Sequence, residues 1–331
     1  MARTAFGDIS PRVAAYAATR LLERAIPHMV LEKFGQSRPL PSKSSDTMKF
    51  RRYEAFPYAP NELTEGVTPA ARRLTKTDVT VSLKQYGDLV ELTDQVQDLH
   101  EDPVMQESSE ILGEQAGQML ETVRFNVLKA GTNVFFSNGS GRGDVNTAMT
   151  KGLQQRITRA LKRQNATKVT QMVQSTPDFN TESLEPAYIA VTHPDVEPDI
   201  RAMTGFVSVA DYGNRKPMDG EIGTVDDVRY IGSTLIEPFT GAGNTTLNGM
   251  ISENGTNVDV YPILIFGANA YAIVPFKGKN AVTPSVINPG QATKDDPLGQ
   301  RGYAGWKAYH AAAILNDNWL VRLELGATEN P

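Results

Sequence analysis

Three features of this 331-residue sequence predict an α+β fold. Residues 103–130 carry the start signals, apolar spacing and stop signal of one long helix. Segments alternating with a period of two precede it, and short strands mixed with short helices follow.

Ser10 before Pro11 reads as an N-cap with proline at the first helical position. Val13, Ala17, Leu21 and Ala25 then recur at fours, which predicts an amphipathic helix on an N-terminal arm. TMKFRRYEAF sets Met48 and Phe50 against Lys49 and Arg51, the pattern of a half-exposed strand. Its expected partner is DVTVSLKQYGDLVELT, with Val79, Val81 and Leu83 on one face. The tip between them, PYAPNELTEGVTPAARRLTKT, is polar, punctuated by proline and too long for a tight turn. Gly87, where the apolar alternation changes face, predicts a bulge or bend.

The long helix has Asp102 as cap, Pro103 as first residue and Gly131 as stop. Val104, Ser108, Ile111, Leu112, Ala116, Met119, Leu120, Val123 and Val127 form its expected apolar stripe. Gly113 and Gly117 predict the close approach of another element. A second helix, GLQQRITRALKRQNA, places Leu153, Ile157, Ala160 and Leu161 on one face and Arg156, Arg159, Lys162 and Arg163 elsewhere. This basic face reads either as solvated or as phosphate-contacting.

Beyond Pro177, AYIAVTHPDVEPDIRAM predicts a buried strand, a proline-rich turn and a short helix. VRYIGS and VDVYPILIFG predict further strands. The Gly/Asn/Thr run at 240–257 reads as a mobile surface loop, and WKAYHAAAILNDNWLVRLEL as two strands turning at Asn316-Asp317-Asn318.

No catalytic, cofactor or metal constellation emerges. The chain has no cysteine, so disulfides, thiolate metal sites and cysteine nucleophiles are excluded. In SNGSGRGDVNT, Gly139 and Gly141 are followed by Asp144 where a dinucleotide loop needs a third glycine, which excludes a phosphate cradle. The Arg142-Gly143-Asp144 triplet also has the form of an adhesion signal, but the stretch reads as a connecting loop. His193 and Asp195 read as turn and cap residues, with a metal-ligand reading as the sharper alternative. Asp226-Asp227 and Asp295-Asp296 are adjacent, so in strands their side chains would diverge. The net charge of -5 excludes a polycationic nucleic-acid binder, and neither a signal peptide nor a membrane span is expected.

Taken in order, GDISPRVAAYA from 7, RRYEAF…LTEGVTPA within 51–70, QYGDLVELTD from 85, HEDPV from 100 and ETVRFNVLKAGTNVFF from 121 form a recognisable series. VTHPDVEPDIRAMTGF from 191, DYGNRKPMDGEIGTVDDVRYI from 211 and DPLGQRGYAGWKAYHAAAILNDNWLVRLE from 296 complete it. The series resembles the major capsid proteins of tailed bacteriophages, in the family typified by podoviruses of the enterobacteria phage N-four type, with the Hong Kong 97-like fold. The resemblance implies an N-terminal arm at 1–42, an extended loop at 43–93 and a peripheral domain at 94–186 with its spine helix at 103–130. An axial domain at 187–290 and a C-terminal return at 291–331 would follow.

The implied function is a structural subunit, not an enzyme, that assembles with itself as hexamers and pentamers into an icosahedral head around double-stranded DNA. It would be built in the bacterial host cytoplasm and reside in the virion. Portal and scaffolding proteins are the implied partners, a decoration protein is an optional one, and neither cofactor nor membrane is involved. Arg51, Arg52, Glu54, Glu62, Glu65, Arg72 and Arg73 would lie at inter-subunit contacts. Arg156, Arg159, Lys162 and Arg163 would face the packaged nucleic acid. A nanocompartment shell of the same fold, and an enzyme of unrecognised chemistry, are the alternatives.

Overall fold

A computed structural model describes residues 29–41, 45–57, 60, 62–95, 104–173, 181–213, 216–276, 282–287, 289–290 and 296–329. The helix expected near 10–25, and the cap Asp102 with Pro103, lie outside them.

A 3-10 turn at Leu31–Lys33 leads into β1 (Gln36–Ser37). Then come β2 (Thr47–Tyr53), β3 (Lys76–Ser82), β4 (Lys84–Thr93), the long helix α1 (Val104–Lys129) and β5 (Val134–Phe136). The middle of the chain supplies α2 (Lys151–Arg163), β6 (Val169–Val173), β7 (Thr181–Thr192), α3 (Glu197–Arg201) and β8 (Phe206–Ser208). It continues with β9 (Glu221–Val225), β10 (Val228–Gly232) and β11 (Tyr261–Phe266). β12 (Tyr271–Pro275), β13 (Thr283–Ile287), β14 (Arg301–Ile314) and β15 (Leu320–Leu325) complete it.

These strands form three sheets. The largest runs β5-β15-β11-β7-β10-β9-β8, with β6 also on β7. A second runs β1-β12-β14-β13, with β4 along the other edge of β14, and β2 pairs only with β3. Ala187–Val191 of β7 and the whole of β11 are continuous apolar runs because the large sheet is covered on both faces there. Tyr188, Ala190, Ile263 and Ile265 meet Leu153, Ile157 and Leu161 of α2 and Ile200 of α3. Their neighbours Ile189, Val191, Leu264 and Phe266 point the other way, onto Phe125 and Leu128 of α1 and Leu31 and Phe34.

At about 1.5 Å per residue α1 is ~39 Å long, enough to serve both sheets. Leu112, Ala116 and Leu120 pack with Ala304, Trp306 and Ala308 of β14, whereas Phe125 and Leu128 reach the core of the large sheet. Most of the expected stripe faces inward, and Gly113 and Gly117 are buried. Ile111 does not: it is 61% exposed, since the helix rests on a sheet only along the row through Leu112, Ala116 and Leu120.

Several local expectations change. The expected partner of β2 is two strands: β3 pairs with β2 and ends at Ser82, and β4 turns away to pair with β14 through Arg301–His310. The break falls at Leu83, and β4 passes Gly87 without a register shift. Gly87 is needed because a Cβ there would sit 2.6 Å from the Trp306 carbonyl oxygen. The two C-terminal strands turn where expected, through a 3-10 turn at Asp317–Trp319 capped by Asn316, but β14 and β15 belong to different sheets.

The 240–257 run is stitched to the body. Gly241 N and Glu253 N donate to the two oxygens of buried Asp259, and Asn244 N donates to Val145 O. Asp226-Asp227 form the two-residue turn between β9 and β10 instead of strand positions, with Asp226 at φ 49°.

Candidate assembly surfaces

The β2–β3 ribbon is held at one end only. Phe50 and Val81 bury against Leu40, Ala272, Val274 and Ala311, while the opposite end opens into the excursion at 54–75. A two-stranded ribbon is marginal by itself, and this one carries Tyr53, Phe56, Leu63, Val67 and Leu74 between 49% and 73% exposed. That these outward apolar side chains all lie on one excursion makes it a candidate contact surface.

The seven charged residues expected at contacts divide into two groups. Arg51 donates twice to Asp78 on the facing strand, at 2.9 and 3.1 Å; this bond raises the guanidinium pKa and lowers that of the carboxylate. Glu54 accepts from Thr75 and Thr77, at 3.1 and 3.0 Å, and Arg72 donates to Pro57 O at 2.9 Å. These three shape the excursion itself. Arg52, Glu62, Glu65 and Arg73 are exposed and have no partner among the described residues.

Helix α2 begins at Thr150, whose hydroxyl accepts from Leu153 N, and buries Leu153, Ile157 and Leu161. Ala160 is half-buried. Buried Gln154 donates to Val225 O at 2.7 Å and accepts from Tyr230 Oη at 2.9 Å, which fixes the helix's rotation. Its basic residues are therefore aimed outward, but they are not equivalent. Lys162 and Lys168 grip Asp227 at 2.6 and 2.8 Å; the bond raises the pKa of Lys162, and the two lysines together lower that of Asp227. Arg156 lies 5.5 Å from the Phe135 ring centroid. Arg159 and Arg163 are exposed without a partner among the described residues.

The Arg-Gly-Asp triplet is part of the structure's own bonding. Arg142 donates to both oxygens of fully buried Glu324, at 2.7 and 2.8 Å, and its guanidinium lies 3.5 Å from the Phe239 ring centroid. Asp144 turns back to accept from Ser140 N and Gly141 N, at 3.0 and 3.1 Å. Gly139, at φ 68°, leaves the space this carboxylate occupies. His193 is likewise a turn residue: Nδ1 accepts from Asp195 N at 3.2 Å, and Asp195 accepts from the Tyr261 hydroxyl at 2.8 Å.

A buried ionic cluster escapes the sequence reading. Glu121 and Arg124, three apart on the inner face of α1, pair at 3.2 Å. Glu121 also accepts from Val30 N and Leu31 N, while Arg124 reaches Glu32 at 3.0 Å and His310 Nε2 at 3.3 Å. Burial pushes the Glu121 carboxyl up. Burial, then the charge of Arg124, holds the His310 imidazole down at about 3, so it stays a neutral acceptor. The only trace of this in the sequence is a charged pair set among inward-facing positions.

Solved capsid structures share this architecture. The capsid of Ralstonia phage GP4 superposes with a TM-score of 0.65 at 12% identity, over 91% of each chain. The cyanophage Pam1 capsid asymmetric unit gives 0.65 at 14%, over 100% of this chain and 97% of that one. The holo-SrpI encapsulin complex of Synechococcus elongatus PCC 7942 gives 0.53 at 12%, over 98% and 92%. No curated protein sequence matches the chain. The fold is thus that of tailed-phage capsid proteins, of the Hong Kong 97-like kind. The phage capsid protein family matches residues 76–323, and the chain belongs to that family.

Proposed function

We propose that the protein is a major capsid protein. It assembles with itself as hexamers and pentamers into an icosahedral head around the double-stranded DNA of a tailed phage. The observation that carries this is the β2–β3 ribbon: a capsid-family chain holds out an excursion whose exposed apolar side chains have no cover among the described residues.

In this reading 43–93 forms the extended loop, 94–186 with α1 the peripheral domain and 187–290 the axial domain. Residues 1–42 form the arm and 291–331 the return strand. Arg51, Glu54 and Arg72 brace the loop, and Arg52, Glu62, Glu65 and Arg73 meet neighbouring subunits. Arg156, Arg159 and Arg163 supply positive charge toward packaged DNA, a contact that needs no sequence specificity; Lys162 is already paired with Asp227, which it shares with Lys168. The role is structural, without a catalytic step. Portal, scaffolding and an optional decoration protein are its partners, and the virion, assembled in the host cytoplasm, is its location.

Many weak interfaces hold a closed shell through effective concentration. Size-exclusion chromatography and negative-stain imaging of the protein, alone and with a scaffolding partner, will show capsomers or shells. A compact monomer under every condition refutes the reading. The likeness to an encapsulin favours one second reading, a nanocompartment shell; nucleic acid inside native particles supports the head, and protein cargo the nanocompartment.

A further inference from the structure

A cleft of about 270 Å³ opens beneath the ribbon, between its inner face and the body. Phe50 and Val79, with Leu315 and Trp319 from the body, give it an apolar floor, and Arg38 and Arg52 stand at its rim. Both arginines are exposed and without a partner among the described residues. Pockets for drug-sized ligands start near ~300 Å³, so this cleft is sized for a side chain or two.

The excursion's own tip has the complementary chemistry. In Glu62-Leu63-Thr64-Glu65-Gly66-Val67, two carboxylates without partners among the described residues are interspersed with Leu63, 73% exposed, and Val67, 63% exposed. The tip does not fill the cleft of its own chain, because all six residues stay exposed.

We propose that this acidic, apolar tip seats in the arginine-rimmed cleft of a second copy, with Leu63 on the floor and Glu62 and Glu65 against Arg38 and Arg52. The inference rests on the shell reading above and supplies its acceptor site. Tip and cleft are different patches, so the contact is heterologous, and head-to-tail repetition of such a contact builds a ring where the rotation between subunits closes. An apolar anchor inside a charged rim divides the work: the anchor holds, and the rim selects the partner.

Two experiments test the pairing. Glu62→Arg with Glu65→Arg, or Arg38→Glu with Arg52→Glu, lowers particle yield by about tenfold or more while circular dichroism stays unchanged, and combining all four restores particles. Because the native chain has no cysteine, a Leu63→Cys chain co-assembled with a Gln36→Cys chain gives a disulfide between those two peptides, read by mass spectrometry. Normal assembly of either reversal pair, or the absence of that linkage in particles that do form, overturns the docking and leaves the shell reading standing. An unaltered chain that never leaves the monomer overturns the shell reading, and the docking with it.

Discussion

Glu324 has no exposed surface, and its carboxylate is held by Arg142 from a loop 182 residues earlier, with Arg322 at 2.9 Å. Arg142→Ala leaves a buried acid with one cation where it had two. Since the lost guanidinium is itself 35% exposed, the expected cost is about 1–2 kcal/mol, read by urea denaturation. Asp144→Ala, which frees only two amides of the same exposed turn, is expected to leave particles intact.

The sequence shows the Arg-Gly-Asp triplet plainly but not its use, because the partner of Arg142 lies on β15. His310 is a second case. Its unfolded form titrates near 6.5 and its folded form at about 3, so between these values the unfolded chain binds more protons and stability falls as pH falls. From pH 7 to pH 4.5 the native subunit is expected to lose about 2 kcal/mol more than His310→Gln, which keeps an acceptor for Arg124 and cannot take the proton. Equal losses in paired denaturation curves would refute this.

Among elements, the ribbon and α1 were legible for different reasons. α1 shows a 3.6-residue period along its whole length, and one exposed position, Ile111, is the main departure. The ribbon was legible only to Ser82, because the alternation of Val79 and Val81 runs on through Leu83, where the chain changes partner, and shifts face only at Gly87. Period-two patterning says which side chains share a face, not which strand supplies the hydrogen bonds. Deleting residues 58–74 should leave Tyr53 and Lys76 joined by a short loop. The subunit is expected to fold with stability within about 1 kcal/mol of native and to form no shells by negative stain. Normal shells from the deletion would show that the excursion is dispensable.

At the scale of the whole molecule, the sequence by itself determined the elements and the family. Proline and glycine punctuation and apolar periods are local signals, readable wherever the chain goes. The tertiary structure alone decided the partners. β14 and β15 adjoin in sequence yet enter separate sheets, α1 serves both sheets, and Arg124 meets His310 across 186 positions. These pairings also divide the excursion's charges into those that shape it and those without a partner among the described residues. The physical reason is that a local pattern specifies which face must be buried, whereas the surface that buries it, and the counter-charge that makes burial tolerable, are brought from far along the chain only when the fold closes.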